Sequence, residues 1–80
     1  MEYYVKSVVP IIESNYNNFT MVEKNIADFF IHNHEKMDFS AKTVAAKLFV
    51  SEASLSRFAK KCGYRGYREF VYQYEETLVE

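Results

Sequence analysis

Two serines, Ser40 and Ser51, each stand directly before a short run whose apolar residues recur at helical spacing, and this pairing constrains the fold more than any other feature. A serine at such a position accepts a hydrogen bond from a free backbone N–H at the start of a helix. After Ser40 come Ala41, Val44, Ala45 and Leu48, which predict a helix of about two turns ending near Phe49. After Ser51 come Leu55, Phe58, Ala59 and Cys62, with Gly63 as the stop. Two short helices separated by roughly three residues suit a helix-turn-helix, which needs a steep angle between its helices, a tight turn and a small residue where they touch. Ala45 is that small residue, Phe49 and Val50 occupy the turn, and Leu55 with Phe58 anchors the second helix to a core.

The flanking segments extend the same all-helical pattern. Tyr4, Val5, Val8, Ile11 and Ile12 have helical spacing, interrupted by Pro10, so a short helix begins at Pro10 or a longer one is kinked there. Asn15, Asn17 and Asn18 mark a break. Thr20 and Glu23 have the spacing of a capping box, so a helix is expected from Met21 to about His32, with Val22, Ile26, Phe29 and Phe30 as its apolar stripe. A last amphipathic helix carries Tyr67, Phe70, Val71, Tyr74 and Leu78 inward and Glu69, Glu75 and Glu76 outward. The expected architecture is one all-α, five-helix domain over residues 1–80, homeodomain-like, with a central helix-turn-helix at about 41–62.

Composition agrees with a single domain that folds throughout. Two Gly, one Pro and 14 Tyr or Phe among 80 residues leave no low-complexity linker and supply bulky core side chains. Cys62 has no partner thiol, which fits a reducing cytoplasm. Apolar runs are broken by charge within a few residues, and neither a membrane span nor a signal peptide is visible. The net charge of −1 conceals a strong asymmetry. From Ala41 to Arg68, seven basic residues face Glu52 alone, a local charge of +6, whereas residues 1–40 and 69–80 are acidic. Such a segment attracts phosphate even in a nearly neutral chain.

The charge and the helix pair meet in one place. With Leu55 and Phe58 inside, Glu52, Ala53, Ser56, Arg57 and Lys60 remain on the outer face of the second helix. Polar groups there reach base edges in a major groove, and cations reach phosphates. The helix start at Ser51 favours an anion through its dipole. Phe49 departs from the expected chemistry: this turn position commonly holds glycine, which takes a left-handed conformation cheaply. Either Phe49 weakens the motif at this turn, or it is a core residue beside a slightly altered turn.

Three blocks together resemble the N-terminal domain of RpiR-type (MurR/RpiR) transcriptional regulators: TMVEKNIADFF from Thr20, VSEASLSRFAKKCGY from Val50, and RGYREF from Arg65. The second and third are the more specific, matching V-S-E-A-T/S, R-F and a G-aromatic-x-G-aromatic-x-E-F unit, and the likeness covers nearly the whole chain. The resemblance implies a regulator of sugar metabolism that binds operator DNA as a dimer. It also implies a C-terminal sugar isomerase (SIS) domain sensing a phosphosugar; this chain holds no such domain and is read as an excised or truncated N-terminal one. By the same resemblance, Ser51, Glu52, Ala53, Ser56 and Arg57 face bases, while Lys42, Thr43, Lys60, Lys61 and Arg65 contact phosphate. A dimer would prefer an inverted repeat.

Other chemistries find little support in the residues. Ser54 and Ser56 lack His and Asp partners, and no Gly-rich phosphate loop or paired carboxylate site is present, so neither an enzyme nor a cofactor is expected. His32 and His34 point to different sides of a helix and make a poor metal pair. Cys62 lies on the apolar stripe as a small hydrophobe. Arg57 has Glu52 as an alternative ion-pair partner. The rival reading is a helical protein-interaction or dimerisation module without DNA. Tyr3, Tyr4, Val9, Ile11 and Tyr72 exceed what one small core needs, so the first helix is expected to join a dimer contact.

Overall fold

In the computed structural model, residues 8–33 and 35–78 are described. The helices are α1 (Val8–Ser14), α2 (Met21–His32), α3 (Ala41–Leu48), α4 (Glu52–Lys61) and α5 (Tyr67–Leu78), with a 3₁₀ turn at Tyr16–Asn18; no strand occurs among the described residues. The all-helical expectation holds. In α1, Pro10 is exposed and lies within the helix, while Val8 and Ile12 are buried. Tyr3, Tyr4, Val5 and His34 lie outside the described residues.

Helix starts follow the side chains expected to cap them. Thr20 Oγ1 accepts from the Glu23 N–H at 3.2 Å and Glu23 Oε1 accepts from the Thr20 N–H at 2.9 Å, completing the capping box. Ser40 and Ser51 accept from the N–H groups of Thr43 and Ser54. Of the expected stripe of α2, Ile26 and Phe30 are buried and Phe29 is half-buried against the core, while Val22 departs from it. Val22 is 44% exposed, and the buried face is Glu23, Ile26, Ala27 and Phe30. The capping box turns Glu23 toward the body of the domain, and Lys61 compensates its charge at 2.7 Å, so the carboxylate takes the place that a hydrophobic count gives to valine.

A single aromatic core joins the helices. Phe30 of α2 is fully buried at its centre, with ring centroids 4.8 Å from both Phe70 and Tyr74 of α5 and 6.1 Å from Phe58 of α4. Edge-to-face geometry at the two closest rings adds to area burial. The buried tyrosines keep their hydroxyls satisfied: Tyr67 donates to the Phe39 carbonyl at 2.8 Å, and Tyr74 to the Phe30 carbonyl at 3.1 Å. Among the described residues no buried side-chain polar atom lacks a partner.

The ends of α3 and α4 are built alike. The Val50 N–H reaches the Ala45 carbonyl at 3.0 Å and the Phe49 N–H the Ala46 carbonyl at 3.4 Å; the Tyr64 and Gly63 N–H groups repeat this with Ala59 and Lys60. Both are Schellman closures, which require a left-handed residue. At α4 that residue is Gly63, with φ 99°; at α3 it is Phe49, with φ 60°. Phe49 is also 93% exposed, which corrects its reading as a core residue. The turn keeps its ordinary geometry, because the hydrogen bonds and the half-buried Val50 dictate the backbone whatever side chain stands at Phe49.

A non-glycine residue in this conformation costs about 1–2 kcal/mol, and the exposed ring recovers almost nothing by burial. Phe49→Gly is therefore expected to raise the thermal midpoint by roughly 3–6 °C, after the larger unfolded-state entropy of glycine is deducted. Differential scanning calorimetry tests this, and an unchanged or lowered midpoint contradicts it.

Candidate nucleic-acid interface

Helix α4 contacts α2, α3 and α5, which fixes which of its sides remains free. Ser54, Leu55, Phe58 and Ala59 are buried. The free arc runs through Glu52, Ala53, Arg57 and Lys60, all exposed, with Ser56 half-buried at its border. Every residue of the outer face expected from spacing is on this arc, because one helix face is claimed by the core and the rest follows from 3.6 residues per turn.

The candidate residues differ in how free their polar atoms are. Ser51 Oγ accepts from the Ser54 N–H at 3.1 Å and lies 2.9 Å from Ser54 Oγ, so this hydroxyl is already engaged in capping α4. Arg57 donates from Nη2 to Ser54 Oγ at 3.3 Å, rather than pairing with Glu52. A buried serine thus connects the helix cap to the arginine and restrains the guanidinium on the outer face. On α3, Lys42 is exposed. Thr43 Oγ1 donates to Asp38 Oδ2 at 2.8 Å and accepts from Ser40 Oγ at 3.1 Å. The Ser40 backbone N–H and the Thr43 hydroxyl hold the Asp38 carboxyl below the usual carboxylate range.

Among the described residues the single ion pair is Lys61–Glu23, so Lys42, Lys60, Arg57 and Arg65 have no carboxylate within bridging distance. The exposed Arg65 follows α4, and its backbone N–H donates to Glu69 Oε1 at 2.6 Å, tying the loop to the first turn of α5. Lys61, assigned to phosphate from the sequence, directs its Nζ to Glu23 and to the Asn18 carbonyl.

An open groove of about 850 Å³ flanks α4 and brings Glu52 and Ser56 together with Ser40, the cap of α3, Ala41 of α3, and Arg68 and Tyr72 of α5. Arg68 and Tyr72 were not singled out as site residues from the sequence. Arg68 was visible only as part of the basic segment, and Tyr72, 62% exposed, only as an aromatic off the buried stripe. Their position beside α4 depends on how α5 packs back, which no local pattern encodes.

Cys62 plays no part in this face. Burial, and secondarily the Glu23 charge, pushes its thiol up to about 12, so it packs as a hydrophobe. His32 is exposed, with Nδ1 2.9 Å from the Asp28 carbonyl, and no group among the described residues could hold a metal ion. No described helix is long and apolar enough to cross a membrane.

Two short helices joined by a left-handed turn, with the small residue Ala45 buried on the first and Arg57 and Lys60 exposed on the outer arc of the second, define a helix-turn-helix domain of the DNA-binding class. A family model described as the helix-turn-helix domain of the rpiR family matches residues 6–79, and the chain belongs to that family. No curated protein matches the chain.

Proposed function

We propose that this domain reads operator DNA for a transcriptional regulator of sugar or phosphosugar metabolism, acting in the cytoplasm, with α4 in the major groove. The observation that carries this reading is the outer arc of α4: Arg57 and Lys60 are exposed there with no carboxylate within bridging distance among the described residues, on a helix whose Leu55 and Phe58 are buried behind it. Ser51, Glu52, Ala53, Ser56 and Arg57 face base edges. Lys42, Thr43, Lys60 and Arg65 meet the backbone on either side. Two copies bind together, placing their recognition helices one turn of duplex apart, about 34 Å, on an inverted repeat. The phosphosugar acts through an effector domain of the regulator, not through this one.

A second reading, a protein-interaction module, draws on exposed apolar side chains: Met21 is 85% exposed and Tyr72 62%. Selection from a random-sequence duplex pool separates the two. The expected result is enrichment of an inverted repeat with half-sites about 10 base pairs apart. Enrichment of a single unrepeated half-site contradicts the paired arrangement. A domain that is folded by circular dichroism yet retains no duplex at low salt contradicts DNA reading altogether.

A further inference from the structure

The last turn of α4 carries two lysines with different surroundings. Lys60 is exposed and has no carboxylate within bridging distance among the described residues. Lys61 lies with Nζ 2.7 Å from Glu23 Oε1 and 3.1 Å from the Asn18 carbonyl. The Glu23 side chain is only 5% exposed, and the oxygen that meets Lys61 also accepts the Thr20 N–H. One carboxylate oxygen therefore links the capping box of α2 to the end of α4, and the same ammonium holds the carbonyl that ends the 3₁₀ turn. Burial pushes the Glu23 carboxyl up, but the Lys61 hydrogen bond, the Thr20 N–H and the Lys61 charge outweigh it and hold the group below its usual range. Glu23 stays ionised.

The location gives this junction leverage. Helix α4 has ten residues, about 15 Å of length, and the junction lies at the opposite end from Ser51. Phe58 restrains the same end against Phe19, with ring centroids 5.1 Å apart. Apolar packing tolerates small rotations, whereas a short charged hydrogen bond shared with a helix cap is directional. A shift here is carried along the rigid helix to the residues that meet the bases, where small displacements are costly to recognition.

We propose that Glu23 and Lys61 form a positioning lock that sets the angle at which α4 presents its outer arc to DNA, and that Lys61 does not contact phosphate. This rests on the DNA-reading function above. Simple electrostatics predicts the contrary for one partner: removing the negative charge of Glu23 should strengthen attraction to a polyanion.

The test uses the whole chain and compares the wild type with Glu23→Gln, Lys61→Met and the double variant. Glutamine keeps an oxygen for the Thr20 N–H but loses the charge. Duplex affinity is measured by fluorescence anisotropy at several salt concentrations, on the duplex most enriched in the selection. Temperatures are chosen where circular dichroism shows each variant fully folded. The lock predicts that Glu23→Gln weakens binding roughly 3- to 10-fold, against the charge, and that the double variant is no weaker than Lys61→Met. The salt slope of Lys61→Met stays that of the wild type. A slope shallower by about one unit in Lys61→Met places Lys61 on phosphate and overturns the proposal. Unchanged or tighter binding by Glu23→Gln also overturns it. Wild type that binds no duplex overturns the DNA reading itself, an outcome distinct from wild type that binds while the variants fail to show the coupling.

Discussion

Phe30→Ala is expected to lower the thermal midpoint by roughly 15–30 °C, the largest stability effect available from one substitution in this domain. Phe30 is fully buried and its ring meets those of Phe29, Phe39, Phe58, Tyr67, Phe70 and Tyr74. Truncating a buried phenylalanine costs about 3–5 kcal/mol through lost transfer energy and the cavity left behind. A domain of this size holds only about 4–12 kcal/mol in total. Those two magnitudes are comparable, so the variant should be marginally folded at room temperature. The collapse that would relieve the cavity is opposed because the surrounding rings belong to α4, α5 and the Phe39 segment. These elements are held by other contacts, including the Tyr67 and Tyr74 hydrogen bonds. Thermal unfolding followed at 222 nm measures it; a midpoint within about 5 °C of the wild type would mean that the core repacks around the gap.

On DNA, Arg57→Ala and Lys60→Ala are expected to fail in different ways. Arg57 stands on the outer arc of α4 with its guanidinium steadied by Ser54, so under the proposed DNA reading its fork meets a base edge with part of its freedom already lost. Its loss should cost about 1–3 kcal/mol against the preferred duplex, roughly 5- to 150-fold in affinity, and should relax the preference at one base position. Lys60 has no carboxylate within bridging distance among the described residues, and under the same reading it acts on phosphate as a point charge. Its loss should weaken all duplexes alike and make the salt slope shallower by about 0.9. Neither change removes buried apolar area, so both variants should melt close to the wild type. The decisive comparison is a salt series on the preferred duplex and on a scrambled one. If Arg57→Ala weakened both duplexes equally, Arg57 would be a backbone contact and α4 would be read in the wrong orientation.

Much of the architecture was legible because it depends on local chemistry. Thr20 with Glu23, Ser40 and Ser51 start helices through hydrogen bonds to residues three positions on. Gly63 ends α4 because its closure needs a positive φ. The buried face of α4 followed from Leu55, Phe58 and Ala59, and its free arc followed with it. Where the reading departs from the structure, one side chain's own preference is outweighed by the hydrogen bonds around it. The core alternative for Phe49 rests on phenylalanine favouring burial and disfavouring the left-handed region. The structure gives it neither preference, since the hydrogen bond from Val50 to Ala45 sets the backbone and leaves the ring in solvent. Val22 was placed inward because valine is apolar. The position belongs to Glu23, whose burial is tolerated only because Lys61 arrives from 38 residues away.

By itself the sequence determined the order of the helices, the caps, the place of the turn between α3 and α4 and the confinement of positive charge to the middle of the chain, because each rests on residues within a few positions of one another. Only the tertiary structure decided which polar groups remain available. Lys60 and Lys61 are adjacent and chemically identical, yet one is free and the other bound to a buried carboxylate. Arg68 and Tyr72 lie on the groove beside α4 because α5 folds back along it. A charged side chain has no fixed role until the fold supplies or withholds its partner, since the cost of burying a charge depends on what stands within hydrogen-bonding distance.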